Sequence, residues 1–152
     1  MRKVGLYQSP IGPLWLEEED NCLVGLYFEA PIGPTVESPL LTMAKIQLDE
    51  YFRNKRHTFT IPLAYDGTPF QMKVWNALRS IPYGTTCSYQ ELAMRIASPQ
   101  AVRAVGMANH RNPLPIVIPC HRVIGKNGDL VGYAGGLPKK QFLLNLEHSP
   151  FQ

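Results

Sequence analysis

The stretch SYQELAMRIASPQAVRAVGMANH, residues 88–110, decides the fold of the second half of the chain. Ser88 followed three residues later by Glu91 is a capping-box pattern, which predicts a short helix to about residue 97. A serine and a proline then begin a second helix, which we expect over residues 99–110. Two short helices joined by about three residues are typical of a helix-turn-helix, although any helical hairpin gives the same pattern.

The second of these helices is unusually slim. Small residues leave one face that another backbone can approach closely, and Arg103 is the long cation among them. These small residues are Ala101, Ala104, Gly106 and Ala108. One interpretation is tight helix packing with a solvated arginine. The other is a helix that enters a groove of DNA, with Arg103 reaching into the space left by a displaced base.

A further helix is predicted before this pair, and an amphipathic stretch follows it. Thr68 and Gln71 form another capping box, and apolar residues at helical spacing extend the helix to about Ile81. The turn-forming residues 82–84 end it. Near the carboxyl end, residues 141–146 form the amphipathic stretch.

The first half is predicted to be an antiparallel strand meander followed by one helix. Helical spacing of apolar residues after Ser38 predicts a helix that runs to Phe52. We expect one more strand at residues 58–63, and we interpret the acidic residues 17–20 as a solvated turn. No chemistry is predicted in this half. The strands of the meander are expected around residues 4–7, 14–16 and 22–28.

Charge divides the chain in two. Residues 1–67 carry six Lys and Arg against nine Asp and Glu, a net charge of −3, whereas residues 68–152 carry nine against three, a net charge of +6. The basic half is where an anionic partner such as nucleic acid would bind, although lysines and arginines often do no more than solvate a surface.

The composition is that of an ordinary soluble protein. Of 152 residues, 45% are hydrophobic and 18% are charged, and no apolar run approaches the roughly 20 residues of a membrane span. The basic amino terminus reaches Pro10 before a signal-peptide core could form. The three cysteines lie far apart and show no zinc-ligand spacing. We therefore expect reduced thiols, a cytoplasmic location, no membrane contact and no metal site.

The segment IPCHRVI, residues 118–124, is the strongest candidate for chemistry. Cys22 and Cys87 are interpreted as small buried hydrophobes. Cys120 differs, because it follows a proline bend, precedes a histidine and an arginine, and lies in the basic half. There, neighbouring positive charge is expected to stabilise the thiolate over the thiol.

A nucleophilic thiol needs a base, and the base needs an orienting partner. Consecutive side chains of an extended segment point to opposite faces, so His121 reaches Cys120 only through a turn or a water. Acidic residues are scarce in this half: Glu91 belongs to a capping box and Asp129 to a turn. Glu147 remains, at the carboxyl end of a helix where a carboxylate is unfavourable, which suggests a tertiary partner, a solvated glutamate being the alternative.

Together, these motifs resemble the O6-alkylguanine-DNA alkyltransferases, also called methylated-DNA–protein-cysteine methyltransferases. The resemblance covers essentially all of residues 68–148 in order, and extends only loosely to the first half. The matching motifs are IPYG at 81–84, SY at 88–89, AVRAVG at 101–106, NPLP at 112–115, PCHRV at 119–123, GYAGGL at 132–137 and LLNLE at 143–147.

The resemblance implies an α/β protein with a small amino-terminal RNase H-like α+β domain, residues 1–67, and a carboxy-terminal winged-helix-like domain that contains the helix-turn-helix, residues 68–152. It implies direct-reversal DNA repair, in which the alkyl group of O6-alkylguanine passes irreversibly to a cysteine, and it leaves O4-alkylthymine open as a second substrate. It also implies a single turnover, a monomer and no cofactor. The zinc site of some relatives is not evident in this sequence.

The resemblance also implies the catalytic roles. Cys120 attacks the alkyl carbon, His121 removes the thiol proton through a water, and Glu147 orients His121. Tyr89 helps to turn the nucleotide out of the duplex and donates its hydroxyl to the guanine ring. Asn112 is the hinge that ties the recognition helix to the active-site segment.

The implied DNA contacts are in the minor groove of double-stranded DNA that contains O6-alkylguanine. Arg103 fills the vacancy of the extruded base, and the small helix face lies against the groove. The predicted DNA-binding residues are Arg103, Tyr89, Ala101, Ala104 and Arg122. The predicted walls of the base pocket are Pro115, Val123, Tyr133 and Ala134.

Three other functions compete with this one. An alkyltransferase-like reader would bind alkylated DNA without repairing it, but such proteins lack the acceptor cysteine. A thiol hydrolase would leave Arg103 and the helix pair unexplained. A transcription regulator would need base-reading polar residues on a second helix that is dominated by alanine, valine and glycine. Cys87, Met107 and His110 depart from the family pattern and bear on DNA affinity and substrate range.

Overall fold

The structure, a computed structural model, describes residues 2–148. The chain divides between Tyr65 and Asp66 into two compact units. This division lies two residues before the domain boundary that accompanied the family resemblance. Within residues 2–148, no helix combines the length and apolar character that crossing a bilayer requires.

The first unit is a three-stranded antiparallel sheet with one helix packed against it. Its strands lie in sequence order, which confirms the predicted meander. Ser38 caps the helix by accepting a hydrogen bond from the backbone N–H of Leu41, and a proline occupies the first turn, as expected. The elements are β1 (Arg2–Ser9), β2 (Gly12–Glu19), β3 (Cys22–Tyr27) and α1 (Pro39–Phe52).

The acidic residues 17–20 form a solvated turn only at Asp20, because the three glutamates belong to β2. Glu17 and Glu18 lie inside β2 and are buried. The carboxylate of Glu17 accepts hydrogen bonds from the hydroxyl of Tyr27, at 2.7 Å, and from Arg2, at 2.8 Å. Glu18 accepts a hydrogen bond from the hydroxyl of Ser38. Tertiary partners far along the chain therefore compensate burial that an acidic run alone would not favour.

The strand expected at residues 58–63 does not form. Only an isolated parallel bridge joins Leu63 to Leu23, with one hydrogen bond from Leu23 N–H to the carbonyl of Pro62 and one from Ala64 N–H to the carbonyl of Leu23. Pro62 has no N–H to donate to a ladder. The segment is anchored instead by the side chain of Gln47, which bonds both the backbone N–H and the hydroxyl of Thr60.

The second unit is mainly helical. Both predicted capping boxes are present, at Thr68 with Gln71 and at Ser88 with Glu91. Two residue pairs form a minimal parallel sheet that joins the start of the helix pair to the candidate active-site segment. The elements are α2 (Pro69–Leu78), β4 (Cys87–Ser88), α3 (Tyr89–Arg95), α4 (Val102–His110), a 3₁₀ turn (Cys120–Arg122), β5 (Val123–Ile124) and α5 (Leu137–His148).

The predicted helix pair exists, but α4 begins at Val102 and not at Pro99. The N–H of Ser98 bonds back to the carbonyl of Ala93, and the N–H of Ala101 bonds to the carbonyl of Ser98, so residues 98–101 form a turn. Ala101 is not helical and supplies no side-chain cap. The connection is therefore longer than expected, whereas the mixed α/β class with a helical second unit is confirmed.

Candidate active site

Cys120 begins the 3₁₀ turn Cys120–Arg122 and is buried, with 4% of its surface exposed. Its N–H donates to the carbonyl of Ile118 at 2.7 Å. Its own carbonyl accepts a 3.4 Å hydrogen bond from the side-chain amide of Asn109 on α4. The turn also brings His121 and Arg122 into the interior. Because the segment forms a 3₁₀ turn, its three consecutive side chains point in different directions around the turn. In an extended segment they would alternate between two opposite faces.

The loop before Cys120 is organised by Asn112. Its amide donates to the carbonyl of Ile118 at 2.8 Å, and its carbonyl oxygen accepts from the N–H of Leu114 at 2.9 Å. Ile116, at the centre of this loop, has a φ of +75° although its side chain is buried. A β-branched residue in this left-handed region is strained. The hydrogen bonds of Asn112 span and hold the strained loop.

Glu147 of α5 is the centre of a buried charge cluster. One carboxylate oxygen lies 2.6 Å from Nε2 of His121. The guanidinium of Arg122 donates to both carboxylate oxygens, at 2.8 Å and 3.0 Å, and to the carbonyl of Ile81 at 2.7 Å. All three charged or titratable side chains are buried. The tertiary partner expected for Glu147 is therefore His121, together with Arg122.

This cluster keeps the histidine neutral. Burial lowers the pKa of His121 and outweighs the opposite effect of Glu147. Burial alone would raise the pKa of Glu147, but the hydrogen bonds from His121 and Arg122 and the charge of Arg122 bring it far below its ordinary value. A charged carboxylate only accepts, so Nε2 of His121 carries the proton and Nδ1 is the basic nitrogen. Nδ1 is buried without a hydrogen-bond partner among residues 2–148.

Cys120 rests as a thiol and not as the thiolate expected from the basic surroundings. Burial raises its pKa to about 11, while the side chain of Asn112 and the charge of Lys140 have smaller effects in the opposite direction. Desolvation disfavours the charged form of any buried acid. A reaction of Cys120 therefore has to remove the thiol proton as it proceeds.

The predicted pocket residues fall into two groups. Pro115, Val123 and Tyr133 are buried, whereas Ala134 is exposed. The hydroxyl of Tyr89 donates to the carbonyl of Val131 at 3.0 Å. The structure thus places Tyr89 beside the segment that leads to Tyr133, as a shared pocket requires.

The exposed face of α4 carries two of the five predicted DNA-binding residues, and a third lies just before this helix. Arg103 and Ala104 are exposed, and Ala101, just before the helix, is half-buried. Gly106 faces the ring of Tyr89, because a Cβ built there would lie 3.9 Å from it. A surface cavity of about 580 Å³ lies along this helix; its lining residues are Arg103, Gly106, Met107, His110 and Arg111.

Arg122 does not lie with these residues, and its assignment to DNA binding is corrected. Its side chain is 8% exposed. Its Nε, Nη1 and Nη2 donate to Glu147 and to the carbonyl of Ile81. The sequence motif does not show whether the arginine faces a phosphate or a buried carboxylate, because phosphates and carboxylates both bind a guanidinium through two hydrogen bonds.

Lys140 of α5 is a buried residue beside the site that the sequence reasoning did not single out. It has no exposed surface, and its ammonium donates to the carbonyls of Val123, Val131 and Gly132. Burial lowers its pKa to about 8, and the proximity of Cys120 opposes that shift. The spacing held a usable signal: residues 140, 143, 144 and 147 form one helix face.

No metal centre is indicated in the described part of the chain. Among residues 2–148, no three His, Cys, Asp or Glu side chains are arranged to hold an ion. The three cysteines are unpaired with one another; Cys22 is half-buried, and Cys87 and Cys120 are buried. Burial raises the pKa of Cys87.

Two family models match the chain, one for each unit. That described as 6-O-methylguanine DNA methyltransferase, ribonuclease-like domain, matches residues 3–65. That described as 6-O-methylguanine DNA methyltransferase, DNA binding domain, matches residues 69–149. Together they cover nearly the whole sequence.

Curated relatives and solved structures agree with these matches. The constitutive methylated-DNA–protein-cysteine methyltransferase of Bacillus subtilis is 47% identical over 156 residues, which cover 95% of this chain and 94% of the relative. The crystal structure of Mycobacterium tuberculosis O6-methylguanine methyltransferase has a TM-score of 0.90 at 42% identity, and covers 100% of this chain and 97% of that one. The crystal structure of Mycobacterium tuberculosis OGT in complex with DNA has a TM-score of 0.89 at 43% identity, and covers 96% and 92%.

Proposed function

The chain belongs to the 6-O-methylguanine DNA methyltransferase family, and from this premise we propose how its own residues carry out the reaction. The activity is that of a methylated-DNA–protein-cysteine methyltransferase. It is direct-reversal repair: the alkyl group leaves O6-alkylguanine in DNA and is bound by a cysteine of the protein, in a single irreversible turnover.

Cys120 is the alkyl acceptor in this proposal. The observation that carries it is the position of this thiol in one helical turn with His121, whose neutral ring is held by the carboxylate of Glu147 at 2.6 Å. Cys22 lies in β3 of the first unit, and Cys87 lies in β4. A buried thiol with a raised pKa needs an adjacent base to become nucleophilic, and His121 is that base.

The proton leaves Cys120 through a water to Nδ1 of His121. This nitrogen is basic, buried and without a partner among residues 2–148, so a bridging water would satisfy it. Glu147 holds the ring by accepting from Nε2–H and stabilises the imidazolium that forms. The sulfur then forms a bond to the alkyl carbon as the bond from that carbon to O6 breaks, and the electron pair of the broken bond goes to the guanine.

Tyr89 acts on the leaving guanine. In the resting site its hydroxyl donates to the carbonyl of Val131, a bond that it would exchange for one to the guanine, and burial raises its pKa, so it stays a proton donor. A hydroxyl directed at the guanine ring lowers the free energy of the negative charge that develops there. The buried side chains of Pro115, Val123 and Tyr133 form the apolar walls of the base pocket, and the exposed Ala134 lies at its mouth.

DNA is the partner, and the basic domain, residues 68–152, binds it. A base inside the duplex stack cannot reach a buried thiol, so the alkylated guanine has to rotate out of the helix. The exposed Arg103 and the small residues around it suit a minor-groove contact in which the arginine fills the vacancy. We place the reaction in the cytoplasm, where thiols stay reduced, and assign it to a monomer.

The test is the intact mass of the protein after incubation with excess duplex DNA that contains O6-methylguanine. We expect a gain of one CH₂ that stops at one equivalent and maps by peptide analysis to Cys120. The Cys120→Ser variant should bind the same DNA without any gain, and the Cys87→Ser variant should gain as the wild type does. The second cysteine variant is the matched control, because Cys87 is also buried and lies in the same unit.

Two outcomes would contradict the proposal. An unchanged mass despite tight binding would make the protein a reader of alkylated DNA. Repeated turnover of a small acyl substrate without DNA would make it a thiol hydrolase.

A further inference from the structure

Lys140 is the most deeply buried cation of the second unit, with no exposed surface. Its ammonium donates to the carbonyl oxygens of Val123 at 2.7 Å, Val131 at 2.9 Å and Gly132 at 3.3 Å. A lysine ammonium has three donors, so these bonds use its full capacity. Its partners are neutral carbonyls, which leave its positive charge uncompensated by any of these contacts.

The three carbonyls belong to two separate segments of the active site. Val123 begins β5, directly after the turn that holds Cys120. Val131 and Gly132 lead to the buried Tyr133. The carbonyl of Val131 also accepts the hydroxyl of Tyr89 at 3.0 Å. One ammonium therefore joins α5, β5 and the pocket segment at the point where Tyr89 is also attached.

The charge of Lys140 acts on the same site. It lowers the pKa of Cys120, and the thiolate in turn raises the pKa of Lys140. The ring centroid of Tyr89 lies 6.0 Å from the ammonium. In a buried site with little water, a fixed cation stabilises a developing anion more strongly than it would in solvent.

We propose that Lys140 is a positioning residue for alkyl transfer, which holds the Val131 and Gly132 segment against β5 and favours the thiolate of Cys120 by its charge. This rests on the proposed function, in which Cys120 is the acceptor. Lys140 touches neither the thiol proton nor the base in this scheme. It acts through the carbonyls that it binds and through its electric field.

The experiment measures single-turnover transfer from saturating O6-methylguanine duplex. Lys140→Met keeps the length and the apolar stem but removes the donors and the charge, and we expect transfer to slow by at least about tenfold. Lys140→Arg keeps the charge and is expected to retain a larger part of the rate. Lys139→Met, the neighbouring lysine of the same helix, is the matched control and should stay within about twofold of wild type.

A pH profile separates the charge from a purely structural role. Burial lowers the pKa of Lys140 to about 8, and the titratable groups that face it are Cys120, His121 and Tyr89. The wild-type rate should therefore fall relative to the Lys140→Arg rate as the pH rises through about 8 and the cation is lost, because the guanidinium of the variant stays protonated while Cys120 titrates in both proteins.

The outcomes are distinguishable. A wild-type protein that transfers nothing would overturn the proposed function itself. A wild type that transfers, together with a folded Lys140→Met variant of equal rate, would overturn only the role of Lys140. If that variant does not fold by circular dichroism, the comparison with Lys140→Arg decides: a ratio of the wild-type rate to the Lys140→Arg rate that stays constant between about pH 7 and pH 9 contradicts the role of the charge.

Discussion

Replacing Glu147 by glutamine should destabilise the second unit severely. The carboxylate accepts from His121 and twice from Arg122, and all three side chains are buried. A glutamine of the same shape presents an amide N–H₂ to one of these donors. The guanidinium of Arg122 then remains buried with hydrogen bonds to the carbonyl of Ile81 and to the remaining amide oxygen, but with no counter-charge.

The expected cost is about 4 kcal/mol, because removing one partner of a buried ion pair leaves an uncompensated charge. Removing both charges should cost less. The double variant Glu147→Gln with Arg122→Met should be more stable than the single glutamate variant by about 2 kcal/mol. The charge cluster would then be a device for the chemistry of His121 more than a source of stability.

Urea unfolding followed by tryptophan fluorescence measures both effects. A Trp15→Phe background leaves Trp75, which lies in α2 and donates to the carbonyl of Ala108, as the single reporter of the second unit. Glu91→Gln is the matched control, because glutamine also completes a capping box. Its unfolding free energy should change by less than about 0.5 kcal/mol.

Two results would refute the reasoning. The first is a loss below about 1 kcal/mol for Glu147→Gln, which is the range of an exposed pair. The second is a double variant that is less stable than Glu147→Gln alone, because the uncompensated arginine would then not be the source of the cost.

Four further predictions concern single residues of the structure. Ile116→Gly should be at least as stable as Ile116→Ala in urea unfolding, because glycine relieves the φ of +75°; a clearly more stable alanine variant would contradict the strain. The pKa of Glu147 lies far below its ordinary value of 4.5, so the unfolded chain takes up the proton first. The contribution of the Glu147 carboxylate to the free energy of unfolding should therefore be complete above about pH 4.5 and be lost as the pH falls below it. The urea midpoint of Glu147→Gln should not show this pH dependence. Ser88→Ala removes the cap of α3 and should cost about 1 kcal/mol, whereas Thr86→Ala, at an exposed position, should be neutral. Arg103→Ala should slow transfer from duplex DNA several-fold and spare transfer from the free alkylated base; an equal loss on both would exclude its role in base extrusion.

Local patterns predicted most of the elements. The capping residues Thr68, Ser88 and Ser38 begin α2, α3 and α1, because each supplies a side-chain acceptor to a free backbone N–H. The start of α4 was predicted too early, since Pro99 is compatible both with a first helical turn and with the turn that precedes it. The strand at 58–63 was predicted from its β-forming residues. In the structure these residues form one isolated bridge and no full ladder of hydrogen bonds with a neighbouring strand.

The candidate site was predictable where chemistry restricts the residue type, and not where burial decides. His121 and Glu147 were paired from the scarcity of acids in the second half, and the structure brings them together. The raised pKa of Cys120, the interior position of Arg122 and the role of Lys140 depend on desolvation and on contacts across the fold. Sequence reasoning counts charges, but it cannot tell which of them are inside.

The buried charges of the second unit do not sum to zero. Within residues 2–148, its interior holds two cations, Arg122 and Lys140, one carboxylate, Glu147, and a neutral His121. The resting interior is therefore one negative charge short of neutrality. In the transition state of alkyl transfer, the sulfur of Cys120 and the departing guanine share one negative charge. The fold thus holds, before any DNA arrives, the counter-charge of an anion that exists only during the reaction.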